Sequence, residues 1–174
     1  MCGIAGYFNP DQNYAENPKQ NFHTLSRMIN TMNHRGPDTY GHTIINSCCL
    51  AHTRLSIIDL ENGRQPMSYT KDGNTYYIVY NGEIYNYKEV KKTLLRKNYT
   101  FETNSDTEVL IAAFCHYGPG FVKELNGIFA IAIYDSMRNT LYLYRDRFGV
   151  KPLYYTKTGD TLVFASRIDT LFEY

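Results

Sequence analysis

Apolar positions change their period along the chain, and that change predicts its elements. Residues 3 to 8, GIAGYF, are a short apolar run ending at Asn9-Pro10 and read as a buried strand. A polar stretch follows to about Gln20 and predicts loop. Phe22, Leu25, Ile29 and Met32 then recur at helical spacing, and Gly36-Pro37 in "HRGPD" must end that helix. Strands are expected over 43–45 and 48–53, before a polar connection through "ENGRQPMS". "TYYIVY" is a strand by composition and "YKEVKKTLLRKN" an amphipathic helix. "SDTEVLIAAFCHYG" predicts a further helix, with Ser105 at the N-cap, Glu108 completing a capping box and Gly118 closing it. From Gly127 onward strands dominate: "GIFAIAIYD", a turn at "SMRN", "TLYLYRD", "PLYYT" and "TLVFAS". Consecutive hairpins mixed with helices imply an α+β domain with antiparallel sheets.

Composition narrows the class. A chain of 174 residues, 43% hydrophobic and 20% charged, suits one domain with a sizeable core. Net charge is +1 with no basic stripe, so nucleic acid is not an expected partner. No bilayer-length apolar span or charged-then-apolar leader is present, which predicts no membrane association and a cytoplasmic location. Cys2, Cys48, Cys49 and Cys115 form no C-x-x-C pair, and free thiols in a reducing compartment are expected. His23, His34, His42, His52 and His116 lack metal-ligand spacing, so no metal site is predicted.

Four stretches could carry chemistry, and each also has a structural explanation. Cys2, in "MCGIAG", would unite a thiol with a free α-amine once Met1 is removed, placing nucleophile and base on one residue. It could equally be a small buried residue at a chain end. Asn81-Gly82, in "VYNGEIYN", has the signature of a two-residue hairpin turn, which spacing alone favours. The same pair could instead direct a side-chain amide and a backbone N–H at an oxyanion, with Glu83 beside them for a cation. Arg54, in the apolar run "AHTRLSIIDL", is either a strand-end residue reaching solvent or a two-pronged clamp for a carboxylate. Asp106 is favoured in a first helical turn without any ligand, yet could accept from an ammonium. The charged cluster in "RDRFGVKPLYY" reads as a structural network around the turns at Gly149 and Pro152.

Taken together, the four describe one ligand, a free amino acid whose side-chain carbonyl meets Cys2. The motifs "MCGIAG", "HRGPDTYG", "AHTRLSIIDL", "GRQPM", "YNGEIYNYKEV", "TNSDTEVL", "LNGIFAIAIYD" and "RDRFGVKPLYY" cover almost the whole chain in order. With them the sequence resembles the class II glutamine amidotransferase domains of the N-terminal nucleophile hydrolases, and specifically the glutaminase half of glutamine-hydrolysing asparagine synthetases.

That resemblance implies a four-layer α/β/β/α sandwich of two antiparallel sheets, spanning residues 2–174. It implies Cys2 as nucleophile and Asn81 and Gly82 as oxyanion hole. Arg54 and the backbone of Leu55, Ser56, Ile57 and Ile58 would hold the glutamine carboxylate, and Glu83 and Asp106 the ammonium. The domain itself is expected to need no cofactor. No "SGG-x-DS" phosphate-binding motif occurs in the chain, so ATP and Mg are expected only on a synthetase domain that these residues do not contain. Such a domain, or a partner protein, would receive the ammonia. After "FAS", family members commonly read like "EIKAL", whereas Arg167 and Asp169 reverse both charges here, which predicts altered docking of that domain. Two rival readings remain at this level: a phosphoribosylamine-forming member of the class, or an idle domain serving assembly or glutamine sensing.

Overall fold

The computed structural model describes residues 1–55 and 63–174. Its strands are β1 (Gly3–Phe8), β2 (Thr39–Ile45), β3 (Cys48–Arg54), β4 (Met67–Lys71), β5 (Asn74–Ile84), β6 (Gly127–Asp135), β7 (Thr140–Arg145), β8 (Tyr154–Thr158) and β9 (Thr161–Ala165). Helices α1 (Pro18–Met32), α2 (Tyr87–Leu95), α3 (Asp106–Tyr117) and α4 (Ile168–Leu171) accompany them, with 3-10 turns at Tyr14–Glu16 and Gly118–Glu124. The strands form a five-stranded sheet in the order β2-β3-β1-β9-β8 and a four-stranded sheet in the order β4-β5-β6-β7. Every strand pair is antiparallel.

Three apolar cores stack these elements into four layers. On one outer face, Leu25, Met28, Ile29 and Met32 of α1 pack against Ala5, Tyr7, Cys49 and Ala51. On the other, α2 and α3 cover Ile78, Tyr80, Ile131 and Ile133. Between the sheets lie Ile4, Cys48, Leu50, Val79, Ala132 and Tyr134. A strand alternates its faces with period two, so β3 sends Cys49 and Ala51 to α1 but Cys48 and Leu50 inward. Each fully buried Leu or Ile in these layers contributes about 2 kcal/mol. The expected sandwich of two antiparallel sheets is the observed fold.

Several local expectations need correction. Helix α1 starts at Pro18, earlier than the predicted loop allows, because a first-turn proline loses no intrahelical hydrogen bond. Strand β4 begins at Met67, within the last residues of the predicted polar connection, and runs on to Lys71. The turn that creates it is Asp72-Gly73, whose φ values of 50° and 79° suit a two-residue hairpin between Lys71 and Asn74.

Asn81-Gly82 is no turn at all. Strand β5 runs straight through it, pairing Asn81 with Ala130 and Gly82 with Phe129 of β6. Glycine is required at 82 by close approach, since a Cβ there would lie 2.2 Å from the Ile128 carbonyl oxygen. The capping box is only half made. Ser105 Oγ accepts from the Thr107 N–H at 3.1 Å, but the Glu108 carboxylate turns back to the N–H groups of Glu102 and Thr103, each at 2.8 Å.

The "RDRFGVKPLYY" segment is the predicted structural network. Asp146 lies at its hub, accepting from the N–H groups of Phe129, Phe148, Val150 and Lys151. Arg145 donates to the carbonyls of Lys151 and Gly149. Arg167 and Asp169 pair with each other, and Arg167 also meets His34. Cys2, Cys48, Cys49 and Cys115 are all free thiols. Among the described residues no helix is long and apolar enough to cross a membrane.

Candidate active site

The inward face of β3 reads Cys48, Leu50, His52, Arg54, an apolar run that turns polar as it leaves the core. Strand β5 does the same, with Val79 followed by Asn81. Cys2 immediately precedes β1, whose Gly3 and Ile4 pair with Thr53 and His52. The polar ends of three strands therefore meet at one edge of the inter-sheet layer. The sequence places its candidate chemistry there.

A cleft opens at that edge, lined by Cys2, Arg54, Gly82, Glu83 and Asp106 among the predicted residues. His52, Gly63, Gln65, Tyr80, Ser105 and Thr107 complete its wall. One guanidinium and two carboxylates around one cleft match the opposite charges of a free amino acid. Arg54 is only 6% exposed, which removes the reading of a strand-end arginine reaching solvent.

Cys2 is half-buried and its Sγ contacts Leu55, accepting from the N–H at 3.4 Å and facing the carbonyl at 3.6 Å. Its carbonyl oxygen accepts from Arg35 Nε at 3.1 Å, so the "HRGPD" motif anchors the backbone at residue 2. Asn81 is 2% exposed and its Nδ2 has no hydrogen-bond partner among the described residues. It does not line the cleft, although its backbone neighbour Gly82 does. A buried amide N–H left without a partner costs on the order of 1–3 kcal/mol. Ser56, Ile57 and Ile58 lie outside the described residues.

Electrostatics separate the two candidate ammonium sites. Glu83 is exposed at the rim, while Asp106 is buried at the start of α3. Burial pushes the Asp106 carboxyl above the usual carboxylate range, against hydrogen bonds from the Tyr80 hydroxyl and from backbone N–H groups that draw it down. Burial also drives the His52 ring down to about 3, so it is neutral at physiological pH. Among the described residues no group of three or more His, Cys, Asp or Glu is placed to hold a metal ion.

Sequence reasoning missed His52, Gln65, Tyr80 and Arg35. His52 carried a signal, because it stands two residues before Arg54 and a strand's period of two puts both on one face. Gln65 and Arg35 carried none beyond membership of a motif, since their partners are distant in sequence.

The model for the glutamine amidotransferase domain family matches residues 1–174, the entire chain. The chain belongs to that family. It is 42% identical over 171 residues to asparagine synthetase [glutamine-hydrolyzing] 3 of Bacillus subtilis, a match covering 98% of this chain and 27% of that protein. Similarity to asparagine synthetase [glutamine-hydrolyzing] 1 of the same organism is 44% over 175 residues, covering 98% and 26%. The amidotransferase chain thus spans about a quarter of the length of these relatives. Among solved structures, the glutamine phosphoribosylpyrophosphate amidotransferase of Bacillus subtilis superposes with a TM-score of 0.75 at 21% identity, covering 98% of this chain and 43% of that one. That likeness establishes the shared fold.

Proposed function

We propose that this amidotransferase domain hydrolyses L-glutamine at Cys2 and releases ammonia for amide transfer of the asparagine-synthetase kind. The observation that carries the reading is the convergence of Cys2, Arg54, Gly82, Glu83 and Asp106 on one cleft, next to a buried Asn81 amide that has no partner among the described residues.

Glutamine enters with its α-carboxylate on Arg54 and the backbone from Leu55 to Ile58, and its ammonium on Asp106 and Glu83. After removal of Met1, which is 58% exposed, the α-amine of Cys2 takes the thiol proton. The thiolate attacks the side-chain amide carbon, forming a C–S bond and a tetrahedral oxyanion. Asn81 Nδ2 and the Gly82 N–H donate to that oxyanion. As the C–N bond breaks, the α-amine returns its proton to the nitrogen and ammonia leaves. Water then adds to the thioester, releasing glutamate and restoring the thiol. The ammonia acceptor is a synthetase domain or partner, which would carry the ATP and Mg, and residues 2–174 form the unit that supplies it.

Ammonia release from glutamine by the chain, compared with Cys2→Ala, tests this reading. Release that depends on Cys2 supports it. Glutamine binding without release would favour the sensing role.

A further inference from the structure

The carboxylate assigned to the ammonium stands in a closed ring of hydrogen bonds. Tyr80 Oη donates to Asp106 Oδ2 at 3.0 Å. The Tyr80 backbone N–H donates to Gln65 Oε1 at 2.6 Å, and Gln65 Nε2 donates to Thr107 Oγ1 at 3.2 Å. Thr107 follows Asp106 in α3, which closes the circuit, and all four residues line the cleft. Register explains why Gln65 is needed. Strand β4 begins at Met67, opposite Ile78, so Tyr80, which pairs with Ile131 of β6 on its other side, lies two positions beyond the last β4 partner and has no β4 ladder acceptor. The Gln65 side chain supplies one.

We propose that Tyr80 is a positioning residue for amino-acid recognition: its hydroxyl holds the Asp106 carboxylate charged and aimed at the ligand's α-ammonium, and Gln65 locks Tyr80 to α3. The inference rests on the reading of Asp106 as an ammonium site. The groups sharing the cleft with Asp106 are Tyr80 and Glu83 of β5, His52 and Arg54 of β3, and Cys2. Burial and the Glu83 charge both favour a neutral Asp106, whereas the Tyr80 hydroxyl favours the charged form. Burial beside Asp106 also raises the Tyr80 hydroxyl itself, so the proton stays on tyrosine and the negative charge on aspartate.

The test pairs glutamine with 5-amino-5-oxopentanoate, which is glutamine lacking its α-ammonium, used as a competitive inhibitor. Tyr80→Phe is expected to raise KM for glutamine by about tenfold, the worth of one hydrogen bond to a charged group. Its effect on kcat should be smaller, the acidic limb of kcat/KM should move to higher pH, and the inhibition constant of the deaminated compound should stay within about twofold. Gln65→Met should show the same signature more weakly, and it decides the matter if Tyr80→Phe does not fold. Equal weakening of glutamine and of the deaminated compound would overturn the proposal, as would an unchanged acidic limb. Asp106→Asn separates the two layers of the argument. If it erases the preference for glutamine while Tyr80→Phe leaves that preference intact, this proposal fails and the ammonium site stands. If Asp106→Asn leaves the preference intact, the ammonium site itself falls, and this proposal with it.

Discussion

The two ends of the inter-sheet layer use the same architecture for opposite purposes. At the inner end Cys48 packs among Leu50, Val79, Ala132 and Tyr134, fully buried, and burial drives its thiol well above the ordinary range. At the outer end Cys2 sits half-buried on a cleft that Arg54 and Gly82 also line. Cys49 and Cys115 resemble the inner case, with burial pushing each up to about 12. A cysteine in this fold is therefore a small hydrophobe or a candidate nucleophile according to its position along one layer. The difference arises over the length of β3, where the inward face changes from Cys48 and Leu50 to His52 and Arg54.

Replacing the two cysteines is the strongest way to break that contrast. Cys2→Ala should lower glutamine turnover by about a thousandfold or more, because the covalent route is lost. Asn81→Ala should lower kcat by about a hundredfold, the usual cost of one oxyanion donor, with little change in thermal unfolding. Near wild-type turnover in that variant would remove Asn81 from the mechanism.

His52 offers a gentler probe of how dry the outer end is. In the unfolded chain its ring titrates near 6.5, and in the folded chain near 3. Between those values the unfolded state binds more protons, so stability present above the unfolded pKa is lost as pH falls. Acidification from pH 7 to 5 should cost about 2 kcal/mol through this ring alone. Denaturant unfolding of the wild type and of His52→Gln at both pH values checks it; a parallel loss in the variant would refute the assignment. The smallest effect belongs to Cys48→Ala, which should cost about 1 kcal/mol of stability in the same unfolding experiment and leave turnover unchanged.

How far the sequence could be read depended on whether the relevant physics was local. Helices α1 and α2 followed from apolar periodicity, α3 from its N-cap serine and closing glycine, and the β6-β7 and β8-β9 hairpins from turn residues near the strand ends. Arg54 was recognisable because it breaks an apolar run, whereas Cys2, Asn81, Gly82 and Asp106 each fit a local structural expectation and stood out only when the four stretches were combined. The Asn81-Gly82 pair shows the limit. Its local signature favours a turn, but the pairing of β5 with β6 along its whole length overrides it, and the true turn was the overlooked Asp72-Gly73. Gln65 and Tyr80 were invisible as a unit, because the hydrogen bonds that join them to α3 span loops whose geometry no short window contains.

Central to this account is a thiol at residue 2 attacking the side-chain amide of a bound amino acid. Treatment with an electrophilic glutamine analogue, followed by peptide mapping, tests it most directly. The account predicts a single adduct on Cys2, in a peptide that begins with that residue, and no adduct when excess glutamine is present. An adduct on Cys48, Cys49 or Cys115 with Cys2 unmodified would contradict it.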